Sequence, residues 1–211
     1  MNTRLILLRH GETHSNLNLI YQGQGDSPLT ELGVTEAKQL AEALKDEKLA
    51  GVYSSTLSRS YETARIVAEK HKLEVIKIPE LTERSYGVFE GLTFKEVKQK
   101  FAANYKEWLA NPSRADIPKS ESLDDLQKRG VAAIERILAA HQHQTVCVVG
   151  HGAINRAILF HYMNLSLNNF WRIKQDNCCI NIVEFDLHPM VTLLNSTWFL
   201  GEKRVSKVGI Y

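Results

Sequence analysis

The sequence predicts an α/β fold: a doubly wound, mostly parallel sheet with helices on both faces and a helical excursion beyond it. Three features carry that expectation. Two apolar runs, RLILL at 4–8 and TVCVVG at 145–150, lack the polar alternation of a half-solvated strand, so each reads as a strand buried on both faces. Around them, stretches of helical periodicity alternate with short β-type runs. The connections are short, so crossovers between parallel strands should be right-handed, and a site should lie beyond the strands' carboxyl ends.

After RLILL, Thr30 is placed to cap a helix over TELGVTEAKQLAEALK, where Leu32, Val34, Ala37, Leu40, Ala41 and Leu44 share one face. AGVYSS at 50–55 reads as the next strand. The helix after it, TLSRSYETARIVAEKH, turns Ala64, Ile66 or Val67, and Ala68 inward. LEVIKI at 73–78 is a third strand, stopped by Pro79. Residues 93–109 have helical spacing rich in aromatics, and Pro112 and Pro118 break any helix over 110–120, so 93–120 is expected to form a lid-like excursion. Ser122 opens a long helix, LDDLQKRGVAAIERILAAHQ, that feeds TVCVVG. AINRAILFHYM comes next as a helix, then CCINIVEFDL and MVTLLNSTWFL as two strands turning at His188-Pro189. No repeat of fixed period divides the chain, and one domain spanning 1–211 is expected.

Composition removes several classes of function. Hydrophobic content of 44% and charge of 24% are those of a folded globular chain, which argues against disorder. The 26 basic and 24 acidic residues are interleaved and leave a formal charge of +2, so there is no basic footprint for nucleic acid or an anionic membrane. The start, MNTRLILLRHGE, is too short in apolar residues for a signal peptide, no later stretch could span a bilayer, and the reading is cytoplasmic. Cys147, Cys178 and Cys179 lack the paired spacings of a zinc site and read as reduced core residues. Oligomeric state leaves no mark in the pattern.

The chemistry concentrates at two matched places, where an apolar strand ends in histidine and glycine: Arg9-His10-Gly11 and Gly150-His151-Gly152. If those strands are parallel neighbours, both imidazoles enter one crevice, and Gly11 and Gly152 permit close approach of a ligand to the backbone. Arg59, early in the helix after AGVYSS, and Glu83, in the loop after the third strand, fall near the same sheet edge; an ion pair with Arg84 is the structural alternative for Glu83. Guanidinium forks match phosphate oxygens and remain charged. The same cations occupy the space a divalent metal needs, so neither metal nor cofactor is expected, and the partner is a small phosphorylated metabolite. Positive neighbours disfavour protonated His10, which keeps it a nucleophile, while Glu83 is suited to protonate a leaving alkoxide and then deprotonate water.

Leu8-Arg9-His10-Gly11-Glu12-Thr13 resembles the signature of the histidine phosphatase superfamily, also called the phosphoglycerate mutase-like family. Asn16, Gln22-Gly23, SPLTELG at 27–33, YSSTLSRSYETA at 53–64, LTERSYGVFEG at 81–91 and VVGHG at 148–152 occur in that family's order. The resemblance implies a metal-independent phosphomonoesterase in which His10 is phosphorylated, Glu83 donates the proton, and Arg9, Arg59 and His151 clamp the phosphate. It further implies that Asn16, Gln22 and Gly23 touch phosphate or substrate. The small phosphatases are the nearest likeness, with α-ribazole 5'-phosphate as a candidate substrate. The rival readings are a cofactor-dependent phosphoglycerate mutase and a non-catalytic phospho-ligand sensor.

Overall fold

The computed structural model describes residues 2–201, so the expected span of 1–211 runs past the described residues at both ends. In chain order the elements are β1 (Thr3–Arg9), α1 (His14–Leu17), α2 (Glu31–Ala43), β2 (Leu49–Ser54), α3 (Ser58–His71), β3 (Val75–Lys77), α4 (Phe94–Lys100), α5 (Ala102–Ala110), α6 (Leu123–Ala140), β4 (Thr145–Gly150), α7 (Gly152–Tyr162), β5 (Ile180–Phe185) and β6 (Pro189–Ser196). The strands form one sheet in the order β3-β2-β4-β1-β5-β6. β3, β2, β4 and β1 are parallel, and the β5–β6 hairpin joins β1 antiparallel. The sheet is therefore mixed, with its parallel half as expected.

Strand pleating explains the uninterrupted apolar runs. Leu5, Leu7, Val146 and Val148 point to one face and pack with α6 and α7 side chains such as Leu126, Ile134, Ile154 and Ile158. Ile6, Leu8, Cys147 and Val149 point to the other, against Ala37, Leu40 and Ala41 of α2 and Ala64 and Val67 of α3. Because β1 leads to α2 on one face and β4 leads to α7 on the other, a crevice opens where the two strands end side by side. Thr30 and Ser122 cap α2 and α6 through their side chains, accepting from Gly33 and Asp125 N–H. All three cysteines are buried, and none forms a disulfide among the described residues.

Three local expectations are revised. The third strand keeps only three of the six residues in LEVIKI, since it is a sheet edge paired on one side with β2. The helical stretch 93–109 is two helices, broken at Phe101 (φ −131°, ψ 45°), with Thr93 and Glu96 forming a capping box at the first. Trp108 is fully buried, stacked edge-on against Trp171, so the excursion is anchored to a 3₁₀ segment over Leu167–Arg172 that periodicity does not reveal. Among the described residues no helix is long and apolar enough to cross a membrane.

Candidate active site

Parallel pairing of β1 with β4 sets Arg9 opposite Gly150, so the next residues, His10 and His151, emerge as neighbours with ring centroids 5.1 Å apart. His10 Nδ1 lies 2.7 Å from the Gly11 carbonyl oxygen. A carbonyl only accepts, so Nδ1 carries the hydrogen and Nε2 keeps the lone pair that a nucleophile needs. Burial, then the charges of Arg59 and Arg9, hold the His10 pKa well below the ordinary histidine value, and the ring is neutral.

The two glycines serve different ends. A Cβ on Gly11 would stand 2.5 Å from the Gly33 carbonyl oxygen, so its bareness admits the first turn of α2 instead of the expected ligand. Gly152 does line the cleft: a Cβ there would sit 3.7 Å from both Arg9 Nε and Glu83 Oε2, in the space between them.

Both arginines reach the cleft wall. Arg9 Nη1 donates to the Gln175 carbonyl at 2.6 Å, while its Nε is buried without a protein partner, a donor left for a ligand. Arg59, the second residue of α3, donates from Nη1 to the Gly25 carbonyl and from Nη2 to the Gly23 carbonyl, both at 2.8 Å. Burial brings its pKa down to about 10, which leaves it charged at neutral pH. Its Nε donates to His151 Nδ1 at 3.2 Å. His151 Nε2 therefore carries the hydrogen and donates to Ser55 Oγ at 2.7 Å, an oxygen that also accepts from Leu57 N–H. His151 is wholly buried and absent from the cleft wall, so here it braces Arg59 from behind.

Glu83 enters from the opposite side. Its carboxylate accepts the backbone N–H groups of Arg84 at 2.9 Å, Ala153 at 3.0 Å and Ile154 at 3.1 Å. The alternative ion pair with Arg84 does not form, because that guanidinium donates to the Glu121 carbonyl and Ser120 Oγ. Asn16, Gln22 and Gly23 all line the cleft. Thr13 N–H and Asn177 Nδ2 converge on Asn16 Oδ1, which turns its Nδ2 into the end available to a ligand. Gln22 Nε2 is buried without a protein partner. Gly23 has a left-handed φ of 53°, and any Cβ would strike the Glu90 carboxylate.

Sequence reasoning missed the leaving-group end of the cleft. Arg156 lines it one helical turn beyond Gly152, with Nε donating to the Ile173 carbonyl at 2.7 Å and its guanidinium 5.3 Å from the Trp171 ring centre. The i, i+4 spacing from Gly152 could have signalled it. Tyr21, Tyr86, Phe94, Tyr105 and Trp171 complete that wall. Of the four aromatics in the excursion, Phe94 and Tyr105 line the cleft, whereas Phe101 and Trp108 pack into the core. Gln175 left no sequence signal, since it holds Arg9 through a backbone carbonyl.

A neutral imidazole with a free lone pair, fixed guanidinium donors beside it and a carboxyl opposite can accept a phosphoryl group and return it to water. Comparison with known proteins agrees with that chemistry. The family model of the histidine phosphatase superfamily (branch 1) matches residues 5–196. The chain is 36% identical over 200 residues to phosphoserine phosphatase 1 of Hydrogenobacter thermophilus, covering 94% of this chain and 95% of that one. It is 37% identical to the metal-independent phosphoserine phosphatase of Arabidopsis thaliana over 86% of this chain and 76% of the other. The crystal structure of the α-ribazole phosphatase from Shigella flexneri superposes with a TM-score of 0.82 at 28% identity, covering 92% and 96% of the two chains. The chain is a phosphoric monoester hydrolase. From its matched family model and its site, it belongs to branch 1 of the histidine phosphatase superfamily.

Proposed function

We propose that the chain hydrolyses a small phosphorylated metabolite through a phosphohistidine on His10. The observation that carries this reading is the His10 Nδ1–Gly11 carbonyl bond inside an arginine cluster, which fixes one tautomer and leaves Nε2 unprotonated. Nε2 bonds to phosphorus as the phosphorus–oxygen bond to the leaving group breaks, and Glu83 gives its proton to the departing alkoxide. Glu83 then takes a proton from water as that water bonds to phosphorus and the phosphorus–nitrogen bond breaks, releasing inorganic phosphate. Arg9 and Arg59, with Asn16 and Gln22, hold the phosphoryl oxygens, and Arg59 is kept in place by His151. Guanidinium charge next to His10 does the work a divalent metal would do elsewhere and repels one, so turnover is metal-independent. Three buried cysteines outside any disulfide suit the reducing cytoplasm.

At the leaving-group end Arg156 favours a leaving group bearing a carboxylate, such as the serine of phosphoserine, over α-ribazole 5'-phosphate. A guanidinium in an aromatic wall is matched by a carboxylate's two oxygens. The discriminating experiment compares kcat/KM for phosphoserine, 3-phosphoglycerate and α-ribazole 5'-phosphate in chelator, with wild type and Arg156→Gln. Phosphoserine should lead, and Arg156→Gln should erase its lead while sparing p-nitrophenyl phosphate. Preference for α-ribazole 5'-phosphate would restore that candidate, 2-phosphoglycerate formation outrunning phosphate release would promote the mutase, and no turnover of any ester would leave the sensor.

A further inference from the structure

We infer that Arg129 and Glu121, which do not line the cleft, form a positioning clip that sets Glu83 at proton-transfer distance from the leaving oxygen. The inference rests on the reading of Glu83 as the general acid. Arg129 projects from α6, and every one of its guanidinium N–H groups is engaged. Nη1 donates to the carbonyls of Glu80 at 2.6 Å and Thr82 at 2.8 Å, and Nη2 to the carbonyl of Glu83 itself at 3.1 Å. The remaining donors form a two-pronged pair with Glu121, Nε to Oε1 at 2.6 Å and Nη2 to Oε2 at 2.9 Å. One planar group thus grips three carbonyls of the loop that carries Glu83.

Glu121 has the second half of the task. It stands where the excursion rejoins α6, and its backbone is tied to the same loop by an N–H donated to the Ser85 carbonyl and a carbonyl that accepts from Arg84 Nε. The pair is partly buried, with side chains 21% and 17% exposed, so water competes poorly for these donors. Glu83 is consequently held at both ends: its carboxylate by the α7 amides, and its main-chain carbonyl by Arg129 at 3.1 Å with a longer bond from Gln24 Nε2 at 3.3 Å, which unlike Arg129 grips no other carbonyl of this loop. Removing the second anchor lets the carboxyl pivot on the first. A displacement of about 1 Å at a reacting group costs on the order of 100-fold in rate. Lysine cannot replace the grip, because an ammonium offers three donors and no planar fork.

The test measures single-turnover rates on an alkyl phosphate and on p-nitrophenyl phosphate for Arg129→Lys, Glu121→Gln and Glu83→Gln. A nitrophenolate leaves without help from an acid, so only the alkyl ester reports the position of Glu83. Arg129→Lys should lower the alkyl rate by about 30-fold or more and the nitrophenyl rate by no more than about threefold; Glu121→Gln should lose about tenfold on the alkyl ester with the same selectivity. Equal losses on both esters, or no loss in a folded variant, would overturn the clip while a selective Glu83→Gln keeps the acid. If Arg129→Lys does not fold, Glu121→Gln decides alone. Equal losses for Glu83→Gln itself would remove the acid assignment, and the clip with it.

Discussion

Glu83 caps Ala153: its two carboxylate oxygens lie 3.1 and 3.0 Å from that backbone nitrogen, and Oε1 also takes the N–H of Ile154. The residue before the helix, His151, supplies no side-chain cap to α7, so the proposed acid closes the helix that begins beside the nucleophile. Glu83→Ala should then cost about 1–2 kcal/mol of stability, in the range of a lost N-cap. Glu83→Gln retains one acceptor and should lose less. Urea unfolding at pH 7 measures both, and equal destabilisation by Gln and Ala would show that the cap contributes nothing specific.

The tautomer of His10 makes a prediction about the intermediate. With Nδ1 bonded to the Gly11 carbonyl, phosphate should be trapped on Nε2 of His10 after brief exposure to substrate and quenching in alkali. Mass spectrometry should locate it on His10 and nowhere on His151, whose nitrogens are engaged by Arg59 and Ser55. Phosphate on Nδ1, or label persisting in His10→Ala, would remove the assignment.

Acid stability depends on the same two rings. Both histidines have pKa values well below the ordinary value, first because of burial and then because of Arg59 and other cationic or imidazole neighbours. Below about pH 6.5 the unfolded chain binds protons that the folded chain refuses, so stability is full above that pH and falls as pH drops. The two together contribute a slope of at most about 2.7 kcal/mol per pH unit. Urea midpoints between pH 7 and 5 should fall more steeply for wild type than for His10→Gln/His151→Gln. Parallel slopes would mean that the folded protein protonates these rings as easily as the unfolded chain.

Much of this site was legible because it obeys short-range rules. RLILL and TVCVVG read as doubly buried strands since apolar residues occupy both faces over Leu5–Leu8 and Val146–Val149, and parallel register then places His10 beside His151. Arg9, Arg59 and Glu83, expected there from topology, and Asn16, Gln22 and Gly23, expected only from the family resemblance, all line the cleft wall. The features that stayed hidden depend on which neighbour fills a space. Gly11 could be read as a close approach but not as an approach by Gly33, and His151 as a strand-end imidazole but not as one screened by Arg59. Arg129 looked like any helix arginine, because its partners are mainly carbonyls of a distant loop, and carbonyls carry no residue identity.

The chain Ser55–His151–Arg59 yields the last prediction. Ser55 Oγ accepts the His151 Nε2 hydrogen, which forces Nδ1 to be the acceptor that receives Arg59 Nε–H. In Ser55→Ala that constraint is gone, and a ring with its hydrogen on Nδ1 faces Arg59 donor against donor. Arg59 must then rotate away from a position otherwise set by the Gly23 and Gly25 carbonyls. A hydrogen bond of this kind contributes about 1 kcal/mol, so the inhibition constant for inorganic phosphate should rise by about five- to tenfold in Ser55→Ala. His151→Ala removes the brace outright and should raise it further. The decisive measurement is the double variant: if the hydroxyl acts through the imidazole, Ser55→Ala adds almost nothing in the His151→Ala background. Additive losses would show that Ser55 supports the site by another route, through its second bond from Leu57 N–H, and would uncouple His151 from the placement of Arg59.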